Sequence, residues 1–170
     1  MFKLQRDIYK LAASYGACER LEEVKKCVTE DELANLMYKH IDFCFKNNFP
    51  GREIMAANAD LLARHGILSS GNVTVSHKLK KYILTGDARL SITISGGDIV
   101  FIYATDQARV NVTVKDRAIV SIQGWGNSFS RITAKDDATA LAYLTGGAGH
   151  KEYKQGKSII RAHKYERDYI

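Results

Sequence analysis

Between Gly86 and Leu144 the chain repeats itself every ten residues, and this period constrains the fold more than any other feature of the sequence. Aligned on Ala88, Asp98, Ala108, Ala118, Ser128 and Ala138, each decad places a turn-tolerant residue two positions earlier: Gly86, Gly96, Asp106, Asp116, Gly126 and Asp136. Two, four and six positions after the anchor stand mostly apolar residues, such as Leu90, Ile92 and Ile94, then Val100, Ile102 and Ala104. Apolar side chains at every second position mark a strand with one buried face, and branched ones suit a pleated surface.

The intervening positions change character from decad to decad. Arg89, Ser91 and Thr93 are polar, Ile99, Phe101 and Tyr103 apolar, and Arg109, Asn111 and Thr113 polar again. A meander of hairpins has the same strand spacing, but this alternation makes the true repeat twenty residues, two strands per coil with unlike faces. The expected fold is α+β: an N-terminal helical bundle over 1–66, a short two-sided β-solenoid of about three coils over 67–149, and a basic C-terminal tail or cap over 150–170.

Ahead of the array, Leu4, Ile8, Leu11 and Tyr15 form a helical stripe that Gly16 ends. A second helix is expected from about Ala17 to Cys27. Thr29 and Glu32 read as a capping box that opens a helix carrying Leu33, Met37, His40, Ile41, Cys44 and Phe45, which stops near Asn47 and Asn48. Pro50 is expected to open the next, with Ile54, Leu61 and Leu62 inward and Gly66 at its end. Three or four short helices result. Their partner is either the apolar solenoid face of Ile99, Phe101, Tyr103, Ile119, Leu141 and Tyr143, or that face makes a homodimer.

Charge separates the two parts. Met1 to Gly66 carries ten basic and ten acidic residues, so the whole +6 lies beyond it. A polyanion would meet the C-terminal part. There Lys78, Lys80 and Lys81 cluster at the entry to the array, Arg89, Arg109 and Arg131 lie on its polar strands beside a ladder of Thr93, Thr113 and Thr133, and Lys151, Lys154, Lys157 and Arg161 follow it, interleaved with tyrosines. Like charges directly opposite in a sheet repel, so neighbouring Arg89 and Arg109 point to an anionic partner or to a solvated face with splayed side chains. Residues 150–170 read as a solvated tail with a capping contact or as a nucleic-acid-binding extension.

Catalytic and metal chemistry leaves no pattern. His40 and Cys44 lie one helical turn apart, yet two ligands are too few for a structural zinc site, and a core pair is the expectation. Asp106, Asp116, Asp136 and Asp137 fall at corners, where turn chemistry accounts for them without calcium. No phosphate loop, serine elbow or cofactor motif is present, so no catalytic residue, metal or cofactor is expected. Trp125, flanked by glycines at a corner, reads as a lid on the core edge or as a stacking group. Cys18, Cys27 and Cys44 are odd in number and unpaired in spacing, which favours reduced thiols in a cytoplasm. No apolar run reaches the roughly 18 residues of a membrane span.

The run Ile41-Asp42-Phe43-Cys44 with Asn47, Asn48, Phe49 and Pro50, the close His65-Gly66-Ile67, and decads such as Asp87-Ala88-Arg89-Leu90 and Gln107-Ala108-Arg109-Val110 resemble a group of small uncharacterised proteins from Bacteroidota prophages and mobile elements. The resemblance covers most of Leu33 to Leu144 and carries no known catalytic residues. It implies a mobile-element accessory protein, a class often made of binders that disarm host defence, such as anti-CRISPR proteins. With the one-sided charge, the expectation is a non-enzymatic protein that engages nucleic acid or a nucleoprotein through its basic solenoid half. A scaffold oligomerising through the apolar face is the alternative, and an enzyme of unknown class the third reading.

Overall fold

A computed structural model describes residues 1–16, 18–76 and 79–166. His77, Lys78, Arg167 and Tyr169 lie outside the described residues. The chain divides into two compact units, the first over Met1–Ile67 and the second beginning at Leu68.

The first unit contains six short helices among the described residues, more than the three or four expected: α1 (Lys3–Ser14), α2 (Cys18–Lys26), α3 (Glu30–Lys39), α4 (Ile41–Lys46), α5 (Arg52–Ala57) and α6 (Ala59–Arg64). In α1, Leu4, Ile8 and Ala12 are buried at steps of four, and Gly16 follows the helix in the left-handed conformation (φ 70°). Gln5 is buried too: its Nε2 donates to the carbonyls of Val24 and Cys27, each at 2.7 Å, and so caps the end of α2, where backbone oxygens lack helical donors.

The capping box is formed, with Thr29 Oγ1 accepting from the Glu32 amide at 3.1 Å. The helix it opens does not run through to Phe45. It breaks at His40, where Lys39 Nζ and His40 Nε2 both reach Glu23 Oε2 of α2, at 2.8 and 3.1 Å. Nor does Pro50 open the next helix. Gly51 (φ 83°) precedes α5 at Arg52, and a second break falls at Asn58, whose Nδ2 donates back to the Ile54 carbonyl at 2.8 Å in competition with the backbone. Met55 and Leu62 are the buried residues here, while Ile54 and Leu61 are half-buried.

The second unit is a parallel β-solenoid. One sheet has the order β1 (Ile67–Leu68), β3 (Lys81–Leu84), β5 (Ile99–Ala104), β7 (Ile119–Gly124), β9 (Thr139–Thr145) and β11 (Ile159–Tyr165). The other has the order β2 (Asn72–Ser76), β4 (Arg89–Ile94), β6 (Arg109–Val114), β8 (Phe129–Ala134) and β10 (Gly149–Lys154). Partners sit twenty residues apart, as in Arg89 with Arg109 and Ile99 with Ile119. Leu90, Ile92, Val100, Ile102, Val110, Val112, Val120 and Ile122 fill the space between the sheets and are essentially inaccessible.

About five coils form, where the sequence predicts about three. The first coil is shorter, Asn72 pairing with Arg89, which shifts it out of the decad register. At the other end 149–165, expected from residue 150 onward as a tail or cap, supplies two more strands. The inward positions of β10 are His150, Glu152 and Lys154, stacked under Ser130, Ile132 and Ala134. The apolar alternation stops there while the backbone ladder continues. Charged side chains at inward positions of a last rung discourage a further strand from adding.

The corner aspartates are structural. Asp106 Oδ2 accepts from the Gly86 amide at 2.8 Å, Asp116 Oδ2 from Gly96 at 3.0 Å, and Asp136 Oδ2 from Asp116 at 3.2 Å. Each carboxylate ties its corner to the preceding coil. Gly86 is required at its corner, because its backbone is left-handed (φ 59°) and a Cβ there would run into the Ser69 carbonyl oxygen.

Candidate functional site

Strand registers fix the outward face of the second sheet as rows running along the solenoid axis. One row reads Asn72, Arg89, Arg109, Phe129 and Gly149; the next reads Thr74, Ser91, Asn111, Arg131 and Lys151; the third carries Thr93, Thr113, Thr133 and Tyr153. Four successive rungs, β4, β6, β8 and β10, therefore bear one cation each, spaced by about 4.8 Å per rung. Arg89 and Arg109 are direct neighbours, and at β8 the line steps sideways to Arg131 and on to Lys151.

No aspartate or glutamate occupies an outward position on this face; the solenoid's acidic residues fall at the corners, at the inward Glu152 and beyond β11. All four cations are exposed, and among the described residues none forms an ion pair. Arg109 Nη1 donates to the Asn127 carbonyl at 2.9 Å, with its guanidinium 6.0 Å from the centre of the Phe129 ring. Lys151 Nζ stands 5.3 Å from the Tyr153 ring. A hydrogen bond with Lys151, reinforced by the charges of Lys151 and Arg131, lowers the Tyr153 hydroxyl below the ordinary tyrosine range. Sunk into the face is a trough of about 270 Å³ lined by Thr74, Ser91, Thr93, Asn111, Thr113 and Thr133, with Arg131 at its side and the strand residues Val75, Ile92 and Val112 beneath.

The basic residues expected to act together fall in separate places. Arg89, Arg109, Arg131 and Lys151 share the second sheet. Lys81 and Arg161 lie on the first sheet, beside Phe101 and Leu141 respectively. Lys80 is exposed ahead of β3, and Lys157 is exposed at the last corner. Lys154 takes an inward position on the last rung, 3.6 Å from Glu152. Lys78 is outside the described residues.

The apolar set does share one face, the outer side of the first sheet. Ile99 pairs with Ile119, Phe101 and Leu141 flank Ser121, and Tyr103 and Tyr143 flank Gln123, with Tyr143 stacked on His163 at 5.7 Å. Ile99 and Phe101 are 47% and 38% exposed. Ser91, Asn111 and Phe129 complete this face without being singled out from sequence as binding residues, although they occupy the same offsets from the decad anchors as the arginines; Tyr153 is one of the tyrosines that the sequence interleaves with the basic residues after the array.

Among the described residues no group of three or more His, Cys, Asp or Glu is placed to hold a metal. His40 and Cys44 line a small apolar cavity of about 30 Å³ between α1, α2, α3 and α4, and the His40 ring is turned to Glu23. No described helix is long and apolar enough to cross a membrane.

Fold and site together define a two-sided parallel β-solenoid with one cationic, hydroxyl-rich face. No protein-family model matches the chain, and no curated protein or solved structure matches it either.

Proposed function

We propose that this protein is a non-enzymatic binding protein that captures nucleic acid, alone or within a nucleoprotein, on the outer face of the second solenoid sheet. One observation carries the reading: four exposed cations on four consecutive rungs, Arg89, Arg109, Arg131 and Lys151, with no carboxylate outward among them. Holding like charges together costs free energy that a bound polyanion returns by releasing its counterions. Phe129 and Tyr153, next to cations on the same face, offer rings for base stacking. The resemblance of Leu33 to Leu144 to mobile-element proteins adds the biological part of the proposal, in which the bound nucleoprotein is a host nuclease that the chain inhibits.

Fluorescence anisotropy with a labelled single strand, repeated over a salt series, tests this. The expected slope of log affinity against log salt is about −3, near 0.7 per neutralised phosphate for four cations. Arg109→Ala should flatten the slope by about 0.7. The reading falls if no strand binds, if binding ignores salt, or if Arg89→Ala, Arg109→Ala and Arg131→Ala together leave it unchanged. It falls equally if heparin binds and nucleic acid does not.

A further inference from the structure

The cationic face carries two chemistries side by side. Arg89 and Arg109 stand in one row; two residues further along the same strands, about 6.6 Å away, runs the trough. Its neutral polar lining of Thr74, Ser91, Thr93, Asn111, Thr113 and Thr133 comprises five hydroxyls and one amide, and the Arg131 guanidinium at its side offers a further phosphate contact. Each of the six neutral groups both donates and accepts. Among the described residues none of the six side chains makes a hydrogen bond within the protein, so all remain available to a ligand.

A phosphate gains most from the arginine row, where donors are charged. Neutral hydroxyls beside it suit a neutral group that also donates and accepts, at a fixed offset from the phosphates. In a nucleic-acid strand that description fits the ribose 2′-hydroxyl, the group by which RNA differs from DNA. Because the hydroxyls recur on successive rungs, about 4.8 Å apart, a strand lying along the solenoid axis meets several of them.

Resting on the nucleic-acid reading above, we infer that the trough selects RNA over DNA by hydrogen-bonding the ribose 2′-hydroxyls while Arg89 and Arg109 hold the phosphates. A hydrogen bond of this kind is worth about a 2- to 10-fold difference in affinity. Two or three along a strand give a preference of about tenfold or more.

Oligouridylate and oligodeoxyuridylate of about 12 nucleotides differ only at the 2′ position and are long enough to run along several rungs. Titrated against the full chain, the ribo-oligomer should bind about tenfold tighter, and its 2′-O-methyl form, which cannot donate, should fall toward the deoxy value. In Thr113→Val with Thr133→Val, which keeps strand-forming side chains of the same shape, the ratio of RNA to DNA affinity should drop toward one. Equal binding of the ribo- and deoxy-oligomers by the unaltered protein overturns the inference and leaves the nucleic-acid reading standing. Binding of neither overturns both. A preference for RNA that survives the double substitution also overturns the role of the trough.

Discussion

The two units are held together by opposite means. In the helical unit individual side chains join one element to another: Gln5 closes the end of α2, Glu23 receives Lys39 and His40, Asp31 meets His65 Nδ1 at 2.9 Å, and Tyr38 donates to the His65 carbonyl. In the solenoid the work is done by the backbone ladder and by an interior of interchangeable branched residues, with side chains bonding across coils mainly at the corners. Repetition spreads stability over many equivalent contacts, whereas a bundle of short helices concentrates it in a few that have no duplicate. The outer faces of the solenoid are thereby free to vary without cost to the fold, and a binding surface can be written there.

The sharpest way to break this contrast is a corner of the solenoid. Gly86→Ala should cost about 3 kcal/mol or more in urea unfolding, since the backbone is left-handed (φ 59°) and the added carbon meets the Ser69 carbonyl. Gly97→Ala, at a corner with no atom within 4 Å of the new carbon, should stay within about 0.5 kcal/mol. Equal costs would mean that the close approach at Gly86 does not matter.

Next comes the helical unit's unduplicated bond. Gln5→Leu keeps the side chain similar in size but strips the donor from the carbonyls of Val24 and Cys27; the expected loss is about 1–3 kcal/mol by the same measurement. A neutral result would show that water caps α2 equally well.

The smallest effect belongs to Glu23. Hydrogen bonds from Lys39 and then His40 hold its carboxyl down at about 2, from an ordinary 4.5. A depressed carboxylate contributes stability above its unfolded value and loses it as the pH falls through the folded one, so the loss spans pH 4.5 down to about 2. Glu23 is half-buried and open to solvent on one side, so salt should weaken the effect. Thermal melts of Glu23→Gln should show a flatter acid limb than the unaltered chain, and a carboxyl titration that finds Glu23 at its ordinary value would remove the basis for it.

Legibility followed the same division. The six decads from Ala88 to Ala138 were readable because inward residues are apolar at nearly every second position and the corners repeat, and the register of Arg89 against Arg109 and of Thr93, Thr113 and Thr133 came with them. The last coil was not readable, because His150, Glu152 and Lys154 replace the apolar inward residues while the backbone ladder continues. The breaks at His40 and Asn58 interrupt otherwise continuous helical stripes, and they coincide with contacts to Glu23 and to the Ile54 carbonyl. A periodic pattern does not report either contact.

The sequence by itself determined that this chain is a helical unit followed by a two-faced solenoid, because strand period and corner spacing are local and every repeat states them again. It also put Arg89, Arg109 and Arg131 on one face. Only the tertiary structure decided where the other basic residues stand: Lys151 joined that face, Lys81 and Arg161 went to the other sheet, and Lys154 to the inward side of the last rung. Net charge says how many cations a solenoid carries, but the side each one faces depends on the register of its strand and on how far the coils continue.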